Sequence, residues 1–251
     1  MGLSTQKKKM RKMLGKFMKA AAAVALSAVI AVSGFGSADV DAATRKQAEP
    51  FKYSVIVEDN SSEVVGEKGT INVVSFNERI ELAGDDAAVK KINKALLKIS
   101  NNYDPSNIFG QADSMADEAE AYAGETLYDY SCSDITYNDG KYISIAVSRE
   151  WYAGGVSNSF LDGYVFDLTT GKRVYLTKVL GKSLKKIKKG VIAAIKASDE
   201  AKDLEGFDYV SIINGLKASD ISFYINHEGK CIVTIPPYTF FGGWYRQFVI
   251  S

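Results

Sequence analysis

The sequence holds few of the side chains on which catalysis and metal binding usually rest. Its 251 residues include one histidine, two cysteines, four prolines and two tryptophans. A single histidine excludes a His-rich metal centre, and two cysteines cannot form a four-cysteine zinc or iron–sulfur site. No EF-hand loop, HExxH helix, phosphate-binding P-loop or CxxC pair occurs. The 21 glycines and four prolines are too few for a fibrous or disordered chain. Neither sign of charge prevails: 31 Lys and Arg face 30 Asp and Glu, a formal +1. That balance excludes the strongly basic surface of a dedicated nucleic-acid binder. What is present is 46% hydrophobic and 11% aromatic, enough for one large core or two small ones. The expectation is a globular protein that is not an enzyme and carries no cofactor or metal.

Residues 1–42 read as an export signal. Lys7, Lys8, Lys9, Arg11, Lys12, Lys16 and Lys19 make a basic head, and an apolar stretch follows from Ala20 to about Val32. Val40-Asp41-Ala42 then supplies a small-residue exit before Ala43. The apolar run is shorter than the ~20 residues of a permanent membrane span. Cleavage is expected after Ala42; the alternative is an uncleaved anchor, the one route by which a membrane enters this reading. The absence of a cysteine after the apolar run excludes a lipoprotein anchor. Removing the signal takes away seven of the 31 basic and two of the 30 acidic residues, leaving 24 against 28. The expected location is therefore secreted or cell-envelope associated. Cys132 and Cys231 both fall in the exported part, where one disulfide is permitted. Two buried free thiols are the other reading.

After a polar leader at 43–50, residues 51–251 form one domain, with an N-terminal part to 125 and a C-terminal part from 126. Phe51–Val57 and Thr70–Leu82 carry strand-like Val and Ile, with a polar segment between them. Asp85 or Asp86 caps a helix whose apolar stripe is Val89, Ile92, Leu96, Ile99 and Tyr103. A second helix starts near Pro105, with Ile108, Ala112, Met115, Ala119 and Tyr122 on one side. From Thr126 the period becomes two, and Asn138-Asp139-Gly140 makes a hairpin turn. A Lys-rich helix from Ser183 to Ser198, a shorter helix from Tyr209, and strands at 221–225, 231–235 and 247–251 complete the chain. Strands and helices segregate in blocks, so the fold class is α+β: an antiparallel sheet meander with helices packed on one side.

Three motifs resemble a known family. They are Trp151-Tyr152-Ala153-Gly154-Gly155-Val156-Ser157-Asn158, then Tyr164-Val165-Phe166-Asp167-Leu168-Thr169-Thr170-Gly171-Lys172, and the closing Ile235-Pro236-Pro237-Tyr238 with Phe241-Gly242-Gly243. Their order and content are similar to the RsiV-like extracellular domain family over residues 51–251. That family occurs in anti-sigma factor ectodomains that sense lysozyme, beside some peptidoglycan deacetylase domains, and as stand-alone secreted proteins. The resemblance implies an α+β envelope module that binds rather than reacts. This sequence departs from the family where a His often follows Gly-Gly-x, having Val156-Ser157, and where an acid often follows Pro-Tyr, having Thr239.

The expected ligand-binding residues are Trp151, Tyr152, Gly154, Gly155 and Asn158 around the double glycine, with Tyr238, Phe241 and Trp244 near the C-terminus. Glycines permit close backbone approach, and aromatics supply amphipathic contact area. The bland alternatives are a hairpin turn for the glycines and a buried core for the C-terminal aromatics. The Lys182–Lys196 run reads as a solvated face, His227 as a surface turn residue, and Asp113, Asp117, Glu118 and Glu120 as the outer side of a helix. The expected partner is peptidoglycan or a lysozyme-like protein. A cell-wall hydrolase with an unrecognised carboxylate site, or a structural surface protein without a ligand, are the alternatives.

Overall fold

Alternating Val and Ile build a long first hairpin. β1 (Tyr53–Asp59) and β2 (Ser62–Val65) run antiparallel to β3 (Thr70–Leu82) in one register, Asp59 facing Phe76 and Ser62 facing Val73. The structure is a computed structural model that describes residues 51–240 and 242–250; the signal, the leader and the Phe241 site lie outside the described residues. Between β1 and β2 the hydroxyl of Ser61 stands in for backbone, accepting the Ser75 N–H at 3.0 Å and donating to the Ser75 carbonyl at 3.2 Å. The polar segment after β1 is therefore a strand, because an edge strand tolerates outward polar side chains.

α1 (Ala87–Ser100) starts where Asp86 Oδ1 accepts the N–H groups of Ala88 and Val89, each at 2.9 Å. Its stripe of Val89, Ile92 and Leu96 is buried against Ile80, Leu82, Ile143, Ile145 and Phe166. Asn93 fastens α1 to the end of β3, its amide donating to the Leu82 carbonyl and its carbonyl accepting the Leu82 N–H, both at 2.9 Å. α2 (Ser106–Glu118) buries Ile108, Ala112, Met115 and Ala116 on Ile71, Val73 and Leu127. It stops before Ala119 and Tyr122, which helical spacing alone would include.

The two helices carry the chain over one sheet face, so β4 (Thr126–Asn138) returns parallel to β3, with Asn72 facing Thr126 and Asn77 facing Ser131. From β4 on, the expected meander holds: β5 (Tyr142–Tyr152) and β6 (Ser157–Asp167) add in antiparallel fashion. The sheet order is β1-β3-β4-β5-β6, with β2 also on β3.

Alternation along β5 and β6 gives the sheet two buried faces. Ile143, Ile145 and Phe166 meet α1, while Tyr142 and Val165 meet a second core. That core belongs to a second antiparallel sheet of β7 (Ser222–Ile225), β8 (Cys231–Ile235) and β9 (Arg246–Ile250). Also in it are α3 (Leu176–Leu180), α4 (Leu184–Ala197) through Ile187, Val191 and Ile195, and α5 (Tyr209–Gly215) through Ile213. The α+β class stands, but the helices divide: α1 and α2 cover one face of the large sheet, and α3–α5 pack with the second sheet. The two sheets touch at Gly163, where a Cβ would lie 1.9 Å from the Phe223 carbonyl oxygen. Nearby, the Gly163 N–H donates to Ser222 Oγ at 2.9 Å, and the Ile225 N–H donates to Ser144 Oγ at 2.8 Å.

No disulfide joins Cys132 to Cys231. Cys231 is buried in the core of the second sheet, whereas Cys132 sits on β4 in the first. The permitted bridge is thus not formed, because the two residues serve different sheets.

Candidate functional site

The double glycine is the turn of the β5–β6 hairpin. Gly154 and Gly155 have φ of 70° and 105°, and the Ala153 N–H donates to the Val156 carbonyl at 2.9 Å. A two-residue hairpin turn with positive φ at both centres requires glycine or its few substitutes. A Cβ on Gly154 would also come within 2.9 Å of Met115 Cε and Sδ. Turn geometry and packing account for both glycines without a ligand. The residues flanking them divide between faces. Trp151 pairs with Asp129 and Asn158 on the helix side, while Tyr152 pairs with Tyr128 and Ser157 on the other. Asn158, only 5% exposed, is covered, and its Oδ1 has no hydrogen-bond partner. The expected cluster is therefore not one surface.

The C-terminal aromatics also divide. Phe240 is buried against Phe207 and Tyr209, as core, while Tyr238 and Trp244 are 62% and 63% exposed. Tyr238 holds a positive φ of 59°, its N–H donating to the Gly242 carbonyl at 2.9 Å. A non-glycine residue in that region costs of order 1 kcal/mol and persists only where its surroundings impose it. This loop meets the hairpin: the Ser159 N–H donates to the Gly243 carbonyl at 3.1 Å, and Gly243 lies against Ser157 and Tyr238. Val156, at the hairpin tip, is 56% exposed. One end of the molecule thus presents Val156, Tyr238 and Trp244 from segments some eighty residues apart.

Beside that end runs a row of aromatics on the sheet face shared by Tyr152. Tyr128 lies 5.7 Å from Tyr152 and 5.6 Å from Tyr130, which stacks on Phe76 at 5.1 Å. The Tyr130 hydroxyl donates to Glu150 Oε2 at 2.6 Å. Cys132 follows in the row and bonds Glu78. Burial pushes the Glu78 carboxyl above its ordinary value, partly offset by bonds to Ser133 and Cys132. Burial and then the charges of Glu78 and Glu150 push the Cys132 thiol far up, so it is no nucleophile. Phe76, Tyr128, Tyr130, Glu78 and Glu150 did not enter the expected site. The alternation of Tyr128 and Tyr130 is the signal that could have found them.

A cleft of about 250 Å³ opens on the opposite face of the sheet, where β3 parts from β4 beyond Asn77 and Ser131, under the C-terminal end of α1. Arg79, Arg149, Asp162 and Tyr164 line it above apolar Leu96 and Phe160, and Glu78 of β3 also borders it. Asp129, 3% exposed, holds Arg149 through Oδ1 to Nε at 2.9 Å and Oδ2 to Nη2 at 2.6 Å. Tyr103 lies under the guanidinium, its centroid 5.1 Å from Arg149 Cζ. Its hydroxyl donates to the Asp129 carbonyl at 2.5 Å, and burial raises its pKa to about 12.

Two solved crystal structures are similar to this fold. A DUF3298 family protein from Bacteroides fragilis matches over 82% of this chain and 92% of its own, at 12% identity and a TM-score of 0.51. Another from Pseudomonas aeruginosa matches over 81% and 91%, at 16% identity and a TM-score of 0.48. Its structural neighbours are DUF3298 family proteins. The Bacteroides match, at its low identity, speaks to the fold alone. No family model and no curated protein matches the chain.

The remaining charged features are surface. Lys185, Lys186, Lys189 and Lys196 on α4 are exposed, while Lys188 Nζ donates to the Asn214 carbonyl at 2.6 Å. His227 is exposed in the β7–β8 turn, near Asp134. The acids of α2 point outward, and Asp117 Oδ1 accepts the Glu67 N–H at 2.8 Å, latching the first hairpin. Among the described residues no group of three or more His, Cys, Asp or Glu could hold a metal ion, and no helix is long and apolar enough to cross a membrane.

Proposed function

We propose that the protein is an exported, non-catalytic cell-envelope module of the RsiV-like kind, gripping a wall glycan or a muramidase-like protein. The observation that carries this is the end where exposed Val156, Tyr238 and Trp244 come from two segments joined by the Ser159–Gly243 bond. Exposed aromatics presented from rigid turns are the usual anchors of a binding surface, and the tyrosine row beside them extends the contact area. The strained Tyr238 backbone fits a residue held out for contact rather than for packing. The three sequence motifs and the basic, then apolar N-terminus support the envelope setting.

Pull-down on purified peptidoglycan and on immobilised lysozyme tests this. Retention on at least one is expected, with Trp244→Ala weakening it about 10-fold or more while the thermal midpoint stays within a degree or two. No retention on either support defeats the proposal. One observation favours a second reading, a wall hydrolase. Glu78, its carboxyl raised by burial, and Glu150 stand on one aromatic face, as an acid and a charged partner would. Clearing of wall material in a zymogram, abolished by Glu78→Gln, would select that reading.

A further inference from the structure

The cleft under the C-terminal end of α1 lies on the sheet face opposite the tyrosine row, and its chemistry is dipolar. We infer that it binds a small zwitterion, a free amino acid or dipeptide, whose carboxylate meets Arg79 and Arg149 and whose ammonium group meets Asp162.

Size sets the first limit. About 250 Å³ lies below the usual range of drug-sized sites, so only a compact ligand fits. The donor end comes next. Arg79 spends Nη1 on Glu81 Oε2 at 3.1 Å, but its Nε–H is buried with no hydrogen-bond partner. Native folds seldom leave such a donor unsatisfied unless something completes it. Arg149 lines the same cleft and is already fixed: the bonds to Asp129, and one of 3.3 Å from Nη2 to the Asp104 carbonyl, employ Nε and Nη2. A planar guanidinium fixed on one edge presents its other edge in a set direction, which suits a carboxylate.

The acceptor end lies across the cleft. Asp162 is on β6, three strands along the sheet order from Arg79 on β3, and both line the cleft. The C-terminal end of α1, with Ile99 and Ser100 on the cleft wall, adds the negative end of a helix dipole on the same cavity. A simple anion would be repelled there, whereas a ligand with its own positive end is favoured. Leu96, Val147 and Phe160 offer apolar contact for methyl-sized side chains.

Isothermal titration of the full chain with alanyl-alanine, N-acetyl-alanyl-alanine and alanyl-alaninamide tests the inference. Saturable binding of alanyl-alanine is expected, with each capped analogue about 10-fold weaker or worse. Arg79→Gln should erase the preference for the free carboxylate and leave the preference for the free amine; Asp162→Asn should do the reverse. Equal affinity for the three compounds, or no saturable heat with alanyl-alanine, overturns the inference. The three-compound comparison is made on the unaltered protein, so it decides even where a variant fails to fold. Retention on peptidoglycan or lysozyme through Trp244 is a separate result that neither outcome changes.

Discussion

Asp129 shows how much one side chain can organise. At 3% exposure it would be a costly buried charge, yet it accepts two bonds from Arg149, whose pKa its hydrogen bond raises. The guanidinium is still about a third exposed, which lowers what the pair contributes to stability. Removing one partner of such a pair leaves the other unmatched, and that is where the cost lies. Asp129→Ala should therefore destabilise the fold by about 3 kcal/mol, near the low end for a broken buried pair. Replacing both at once, Asp129→Leu with Arg149→Met, should recover most of the loss; paired urea melts would show it. Little of this was legible in advance. Asp129 and Arg149 lie twenty residues apart, and a charged residue on a strand reads as solvent-facing until its cross-strand neighbour is known. The Trp151–Tyr152 pair was misread for a simpler reason: adjacent strand residues point to opposite faces, so they cannot share one surface.

At the scale of elements, helices were the easier part to foresee. Asp86 and Ser183 cap where their side chains should, and the stripes Val89-Ile92-Leu96 and Ile187-Val191-Ile195 are the buried ones. The β4–β6 meander followed from period-two alternation and the Asn138-Asp139-Gly140 turn. The parallel step from β3 to β4 and the second sheet did not. Alternation tells which residues share a face, but says nothing of which strand lies alongside. Docking of the second sheet depends on one bare position. With the Phe223 carbonyl oxygen only 1.9 Å from a would-be Cβ, Gly163→Ala forces β6 and β7 apart. A loss of about 3 kcal/mol or more is expected by chemical denaturation, larger than for an ordinary surface substitution. The bonds at Ser222 and Ser144 should weaken with it, visible as faster amide exchange at Gly163 and Ile225.

For the molecule as a whole, the sheets are interlocked, with Tyr142 and Val165 of the first sharing a core with Phe223 and Val233 of the second. They should unfold together. The two tryptophans make this measurable, since Trp151 belongs to the large sheet and Trp244 to the loop before β9. Single-tryptophan variants Trp151→Phe and Trp244→Phe should show the same urea midpoint; separated midpoints would mean two independent units. The candidate sites were less legible than the fold. Aromatics near Tyr238 and Trp244 stood out, but their meeting with the Val156 turn depends on how the second sheet docks. Arg79 and Asp162 gave no hint of a shared cleft, because they are eighty-three residues apart and line it together only where β3 parts from β4.

The acidic surroundings of Cys132 have a consequence for durability. Thiol–disulfide exchange begins with a thiolate, and burial beside Glu78 and Glu150 keeps that species scarce. Cys231 is shielded in the other core. In oxidising surroundings the chain would neither shuffle bonds with its neighbours nor need a reductant to stay intact, so its lifetime rests on packing and not on redox poise.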